Sequence, residues 1–148
     1  IEKYDPAIHS HLNDMGSLLG QLFQRSDDLL DYDIRNDEGK AVLGDLKSGY
    51  LNSFGAFMSH QMSRAQVDKM IKSTNLDDLY LSFSDNLAEG KSLFTKKVAE
   101  FDDINQGLID LYEHHLTELE KLLAGNEKQL ISQLRPLTEI LYWRRKPS

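Results

Sequence analysis

The stretch SLFTKKVAEFDDINQGLIDLYEHHLTELEKLLA, residues 92 to 124, decides the fold. Phe94, Phe101, Leu108, His115 and Leu122 recur every seven residues, and Val98, Asn105, Tyr112 and Leu119 form a second line beside them. Two such lines are the a/d seam of a long amphipathic helix. Ser92 is its expected cap, and Gly125 is the expected C-terminal signal after Ala124.

The same periodicity extends in both directions. Upstream, Asp5-Pro6 is a cap followed by a proline at the first helical position. Ile8, Leu12, Met15, Leu19 and Leu22 then fall on one face, and Leu29 and Leu30 extend it. The run DYDIRNDEGK, 31 to 40, has turn composition and should be the first loop. Leu43, Leu46, Tyr50, Phe54 and Phe57 mark a second helix over about 40 to 63, with Gly44, Gly49 and Gly55 inside it. Ser63 and Gln66 make a capping box for a third helix over 64 to 89, with Gly90 as its stop. Downstream, Leu130, Leu134, Leu137 and Leu141 face inward from a last helix that starts near Asn126 and is interrupted at Pro136. Strand-like alternation is absent. The expected fold is all-α, an antiparallel bundle of about five helices in one domain.

Composition narrows the function classes. The net charge of −7 gives no electrostatic reason to bind nucleic acid. Without cysteine there are no disulfides or thiolate metal sites. No apolar run approaches the roughly 20 residues that span a bilayer. The chain begins Ile1-Glu2-Lys3 rather than with methionine, which points to a piece of a longer protein with room for a membrane anchor elsewhere. The terminal Trp143, Arg144, Arg145 and Lys146 read as cations complementing a helix C-terminus, with contact to membrane headgroups as the functional alternative.

No serine sits in a Gly-x-Ser-x-Gly elbow, and no glycine-rich loop follows a strand, so an enzyme is not expected. His9 and His11 diverge around a helix, as do His114 and His115, and no Glu-x-x-His pair occurs. His114 with Glu118 is the one histidine–acid pair at helical spacing singled out for a shared metal. His115, on the apolar seam, reads as a core histidine bonded to a neighbour.

The stretch TNLDDLYLSFSDNLAEG, 74 to 90, carries the densest mixture of acids and bulky apolar groups. Leu76, Leu79, Tyr80, Phe83 and Leu87 form a stripe, while Asp78, Ser82, Asp85 and Glu89 lie opposite at spacings of four, three and four. A continuous helix would put Val67, Met70 and Ile71 on the acidic side. The helix therefore either changes its buried face or breaks near Ser73-Thr74-Asn75. The acids read as a solvated face or as a strip for a hard divalent cation. As a solvated face, they predict that replacing Asp78 and Asp85 by alanine changes stability little.

The segment 62 to 90, ending Asn86-Leu87-Ala88-Glu89-Gly90, resembles the third helix of a PhoU repeat. Residues 92 to 130 are similar to the opening helix of a following repeat, and 12 to 30 to a first helix. The resemblance covers roughly 12 to 135 and implies a repeat at 1–90 with a partial second repeat at 91–148. In its metal motif an acid is followed, after three residues, by Asp; here Asp78 is followed by Ser82, with Leu81 in place of glycine. The implied divalent-metal residues are Asp78, Asp85 and Glu89, with the motif broken at Ser82. No other cofactor is implied. Shortened PhoU-like domains stand at the cytoplasmic C-terminus of bacterial sodium–phosphate cotransporters. The resemblance thus implies a non-catalytic regulatory domain on the cytoplasmic face of the inner membrane. Its partners would be the membrane-embedded part of the same protein and a second copy of itself. The alternatives are an extracytoplasmic four-helix sensor domain of a bacterial membrane receptor and a carboxylate-bundle metalloprotein.

Overall fold

In the computed structural model, residues 5–32 and 43–142 are described, and among them there is no strand. Asp5 accepts a hydrogen bond from the Ala7 backbone N–H at 2.9 Å and so caps α1, Pro6–Leu30. The helix ends where the turn composition begins, at Asp31 and Tyr32. Most of the expected loop, and the basic end from Trp143, lie outside the described residues.

The other elements are α2 (Gly44–Lys47), α3 (Ser53–Ser59), α4 (Arg64–Ile71), α5 (Leu76–Phe83), α6 (Leu87–Leu122), α7 (Gly125–Ser132) and α8 (Leu137–Tyr142). The all-α expectation holds. Three of the expected long helices are interrupted, which gives eight helical segments among the described residues rather than about five.

Each break has a local cause. The expected helix over 40 to 63 is α2 and α3, separated where Gly49 takes φ +80°, a left-handed conformation that ends α2. Asn52 then caps α3 by accepting from the Gly55 N–H at 2.9 Å. The expected helix over 64 to 89 breaks twice. The capping box at Ser63 and Gln66 forms as expected, and α4 stops at Ile71. Asn75 caps α5, which ends at Ser84 in extended backbone. Gly90 is no stop. It lies in the first turn of α6, where an added Cβ would collide with the Tyr80 carbonyl. Pro136 stands in the non-helical elbow between α7 and α8, the interruption expected there.

Helix α6 runs for 36 residues, but its buried line is not the strict seven-residue repeat. Phe94, Phe101, Asn105, Tyr112 and Leu119 are buried as expected. Beyond Asn105 the companion line falls on Ile109 and Leu116, one residue later than Leu108 and His115, and Leu122 is exposed. Seven residues fall about 20° short of two turns, so a heptad line drifts around a helix that does not supercoil.

The chain divides into two units, Ile1–Ser26 with Ile104–Ser148, and Asp27–Asp103; the division does not fall between residues 90 and 91. In the first, called unit one, α1 and α6 are antiparallel, because His11 meets His115 while Arg25 meets Asn105. The pair α7–α8 runs back along α6, because Ser132 meets Glu120 and Tyr142 meets Asn105. Its core is Met15, Leu18, Tyr112, Leu116 and Leu119. Unit two is built on rings: Phe54 packs against Tyr32, Phe57, Phe94 and Phe101 at centroid distances of 5.2, 6.5, 5.9 and 5.1 Å.

Candidate functional site

The residues of the 74–90 stretch do not form one strip. The break at Ser84 puts Asp78 on α5 and Glu89 in the first turn of α6, with Asp85 in the link between them. Asp78 accepts from the Thr74 backbone N–H at 3.2 Å and from the Thr74 hydroxyl at 3.0 Å, while its own N–H donates to Asn75 at 2.8 Å. These bonds close the N-terminus of α5. The Asp85 side chain is fully exposed and lies 3.8 Å from the Lys69 ammonium. The Glu89 N–H is capped by Asn86 at 2.9 Å, so the Asn-Leu-Ala-Glu sequence starts a helix rather than ending one. Ser82 is buried, and its hydroxyl donates to the Leu79 carbonyl at 2.5 Å. Leu87 is exposed, outside the stripe expected for it. Among the described residues, no three histidine or acidic side chains are placed to hold one metal ion. Asp78, Asp85 and Glu89 therefore serve two helix starts and a surface ion pair, and do not come together as ligands.

Part of the stretch does line a groove. Ala65, Gln66 and Lys69 of α4 face Leu81, Phe83 and Asp85 across a solvent-open depression of about 290 Å³. Gln66 spans it, donating to the Phe83 carbonyl at 3.4 Å. The wall offers one amide, one ammonium and one carboxylate, and the last two lie 3.8 Å apart as a pair.

One polar cluster went unremarked in the sequence, and of a second only His11, His114, His115 and Glu118 were read. In unit two, Asp28 on the last turn of α1 and Asp31 just beyond its end meet the starts of α3 and α2. Asp31 accepts from the Asp45 N–H with both carboxylate oxygens at 3.2 Å, and Asp28 accepts from the Ser53 N–H at 3.0 Å. Buried Asn52 donates to Asp45 at 2.8 Å and to the Asp28 carbonyl at 3.1 Å. Burial, with the charges of Asp45 and Asp28, raises the Asp31 carboxyl above its ordinary value, against the lowering effect of the backbone N–H bonds. The Tyr32 hydroxyl, buried beside the same acids with no hydrogen-bond partner, is pushed up by burial and by their charges. The signal for this cluster was the run DDLLDYD at 27 to 33, of which Leu29 and Leu30 were read as helix and residues 31 to 33 only as turn composition.

In unit one, the His11 and His115 rings face each other, Nδ1 to Nδ1 at 3.0 Å, and Asp14 lies 3.8 Å from Nε2 of His115. His115 is thus bonded to a neighbour, as read from the sequence, but it is half-buried beside the core line rather than in it. Its partner, 104 residues away, carried no sequence signal. Glu118 is occupied by Lys121 at 2.7 Å, and that ammonium lowers its carboxyl, with smaller effects from His114 and His11. Farther along, the Arg135 guanidinium, in the elbow between α7 and α8, holds Glu113 and also Glu120 of α6, at 2.7 Å for the latter.

No protein-family model, curated protein or solved structure matches the chain.

Proposed function

We propose that this chain is a helical interaction domain that works by docking and without catalysis. The observation that carries the reading is a line of large aliphatic side chains left in solvent on α6 in unit one. Ile104, Leu111 and Leu122 are 45%, 44% and 47% exposed. Spacings of seven and eleven residues bring all three within about 20° of one another around a helix. Single exposed leucines are ordinary on soluble proteins, but an aligned row offers a partner helix a continuous apolar ridge.

In its specific form, the domain regulates a membrane sodium–phosphate cotransporter from the cytoplasmic face, docked on the membrane-embedded part of the same longer protein. The similarity of residues 12 to 135 to PhoU repeats supports this form. The gene on either side of codons 1 and 148 tests it. A block of many membrane spans upstream is the expected finding. A single span on each side would replace the transporter by an extracytoplasmic sensor. On the protein, the separately produced membrane part should co-purify with this domain, and Leu111→Lys should abolish that binding without lowering the melting temperature. Retention of binding in Leu111→Lys would remove the ridge from the account.

A further inference from the structure

We propose that the exposed face of α6 in unit one is a docking surface for a cationic amphipathic helix. The inference rests on the docking reading above and names the chemistry of the partner that the ridge takes.

The shape comes from one glycine. On a helix, residues at positions i, i+3, i+4 and i+7 surround a hole that takes one side chain of a facing helix. Ile104, Gly107, Leu108 and Leu111 stand at those four positions. Ile104 and Leu111 are exposed and Leu108 is half-buried. Leu108 packs on the core of Met15, Leu18, Tyr112, Leu116 and Leu119, which fixes that side of the hole. A Cβ added at Gly107 meets nothing within 4 Å. The hole thus has three aliphatic corners and one corner without a side chain, which deepens it for a bulky apolar knob.

Acids border the ridge on both sides. Asp110 is exposed, and its carboxylate accepts from the Gln106 amide at 3.1 Å, a neutral partner. On the side of α1, exposed Asp14 lies 3.8 Å from His115, which stands four residues beyond Leu111 on the same helix face. Glu118 continues that face one heptad beyond Leu111, and Lys121 is its partner at 2.7 Å. Among the described residues that border the ridge, three acids stand against one lysine. The two described arginines of the unit are turned to other groups, Arg25 to Asn105 and Arg135 to Glu113 and Glu120.

In paired helices, the charges flanking the apolar seam choose the partner. Acids on both flanks select lysine and arginine. They select against a second copy of the chain, which carries the same acids and a net charge of −7. They also select against anionic lipid. Cytoplasmic loops of membrane proteins carry an excess of lysine and arginine, so the membrane-embedded part proposed above can supply such a helix.

An alanine-based peptide of about 20 residues, with leucines one heptad apart and lysines on either side of them, tests the proposal. Its control carries glutamates in place of the lysines. Fluorescence anisotropy of each labelled peptide is read against the full 148-residue chain. The lysine peptide should bind saturably, with an affinity that falls as salt rises, and the glutamate peptide should not bind. Asp14→Asn with Asp110→Asn should weaken binding about threefold to tenfold. Gly107→Leu fills the hole and should weaken binding about tenfold or more. The new side chain enters open space and replaces a glycine inside a helix, so this variant should melt at or above the parent temperature. Its loss of binding is then no loss of fold. Equal binding of the two peptides would overturn the cationic partner and leave the docking reading standing. Undiminished binding to Gly107→Leu would overturn the hole, and absence of binding by the lysine peptide would overturn the proposal outright. Co-purification of the membrane part, lost in Leu111→Lys, still decides the docking reading by itself. A dimer in sedimentation that Leu111→Lys dissociates would give the face to a second copy and overturn the proposal as well.

Discussion

Phe54 in unit two touches four other rings, and the further contacts of Phe94 with Tyr80 and Phe83 carry the cluster on to α5. Unit one has a smaller, mainly aliphatic core, and polar side chains tie its helices together. Asn105, fully buried, accepts from Arg25 on α1 and donates to Tyr142 on α8. The Tyr112 hydroxyl donates to the Leu134 carbonyl at 2.6 Å, and Arg135 joins Glu113 to Glu120. The difference is one of tolerance. A ring cluster shares its contacts among many atoms and loses energy in proportion to the volume removed. A buried polar bridge contributes little net stability while intact, yet costs a full desolvation penalty when one partner disappears.

That contrast can be broken from both sides. Phe54→Ala should have the largest effect, about 3–5 kcal/mol in a denaturant melt; a loss below about 1 kcal/mol would show that the ring cluster is not what holds unit two. Phe83 is only half-buried and should cost clearly less on truncation than Phe54. In unit one, Asn105→Ala leaves Arg25 and Tyr142 without their shared partner and should cost about 1–3 kcal/mol. If Asn105→Leu, with the same contacts removed, were as stable as the parent, the network would be replaceable by packing.

A smaller effect sharpens the account of α5. Asp78→Ala removes the bonds to Thr74 and should cost about 1 kcal/mol, whereas Asp85→Ala, at an exposed pair, should cost close to nothing. The sequence-based expectation that the double substitution is neutral thus changes: its cost should equal that of Asp78→Ala alone. The smallest effect is a pH dependence. The folded-state Asp31 carboxyl lies above its ordinary value of 3.8, so the folded chain holds that proton more tightly than the unfolded one. Its contribution to stability is therefore complete below the unfolded value and is lost as pH rises through the raised one. Asp31→Asn keeps an acceptor and removes the charge. Its stability relative to the parent should be greatest at neutral pH and should shrink on acidification. Melts across pH 3 to 7 that show no such narrowing would deny the raised value.

Apolar periodicity found α1 and α6, because long amphipathic helices carry their own signal over many turns. The capping residues Asp5 and Ser63 marked real helix starts, and of the two alternatives at Ser73-Thr74-Asn75 the break is the one found, with Asn75 as the cap of α5. The interruption at Ser84 was missed because Leu87 continues the apolar spacing across it. With that break the acid strip came apart, since its spacing assumed one helix. Unit one's ties were illegible for another reason. Arg25 with Asn105, and His11 with His115, are residues 80 and 104 positions apart, paired only by the way the helices pack.

Gly90 has a consequence for genetics. A larger residue there meets the peptide backbone of α5, the Tyr80 carbonyl, rather than a side chain able to swing away. Compensation by a second point change is correspondingly hard, since no single side-chain replacement moves that carbonyl. In a saturation library the position should read as a near-empty column, and Gly90→Ala, the mildest allele, should be temperature-sensitive with few intragenic suppressors.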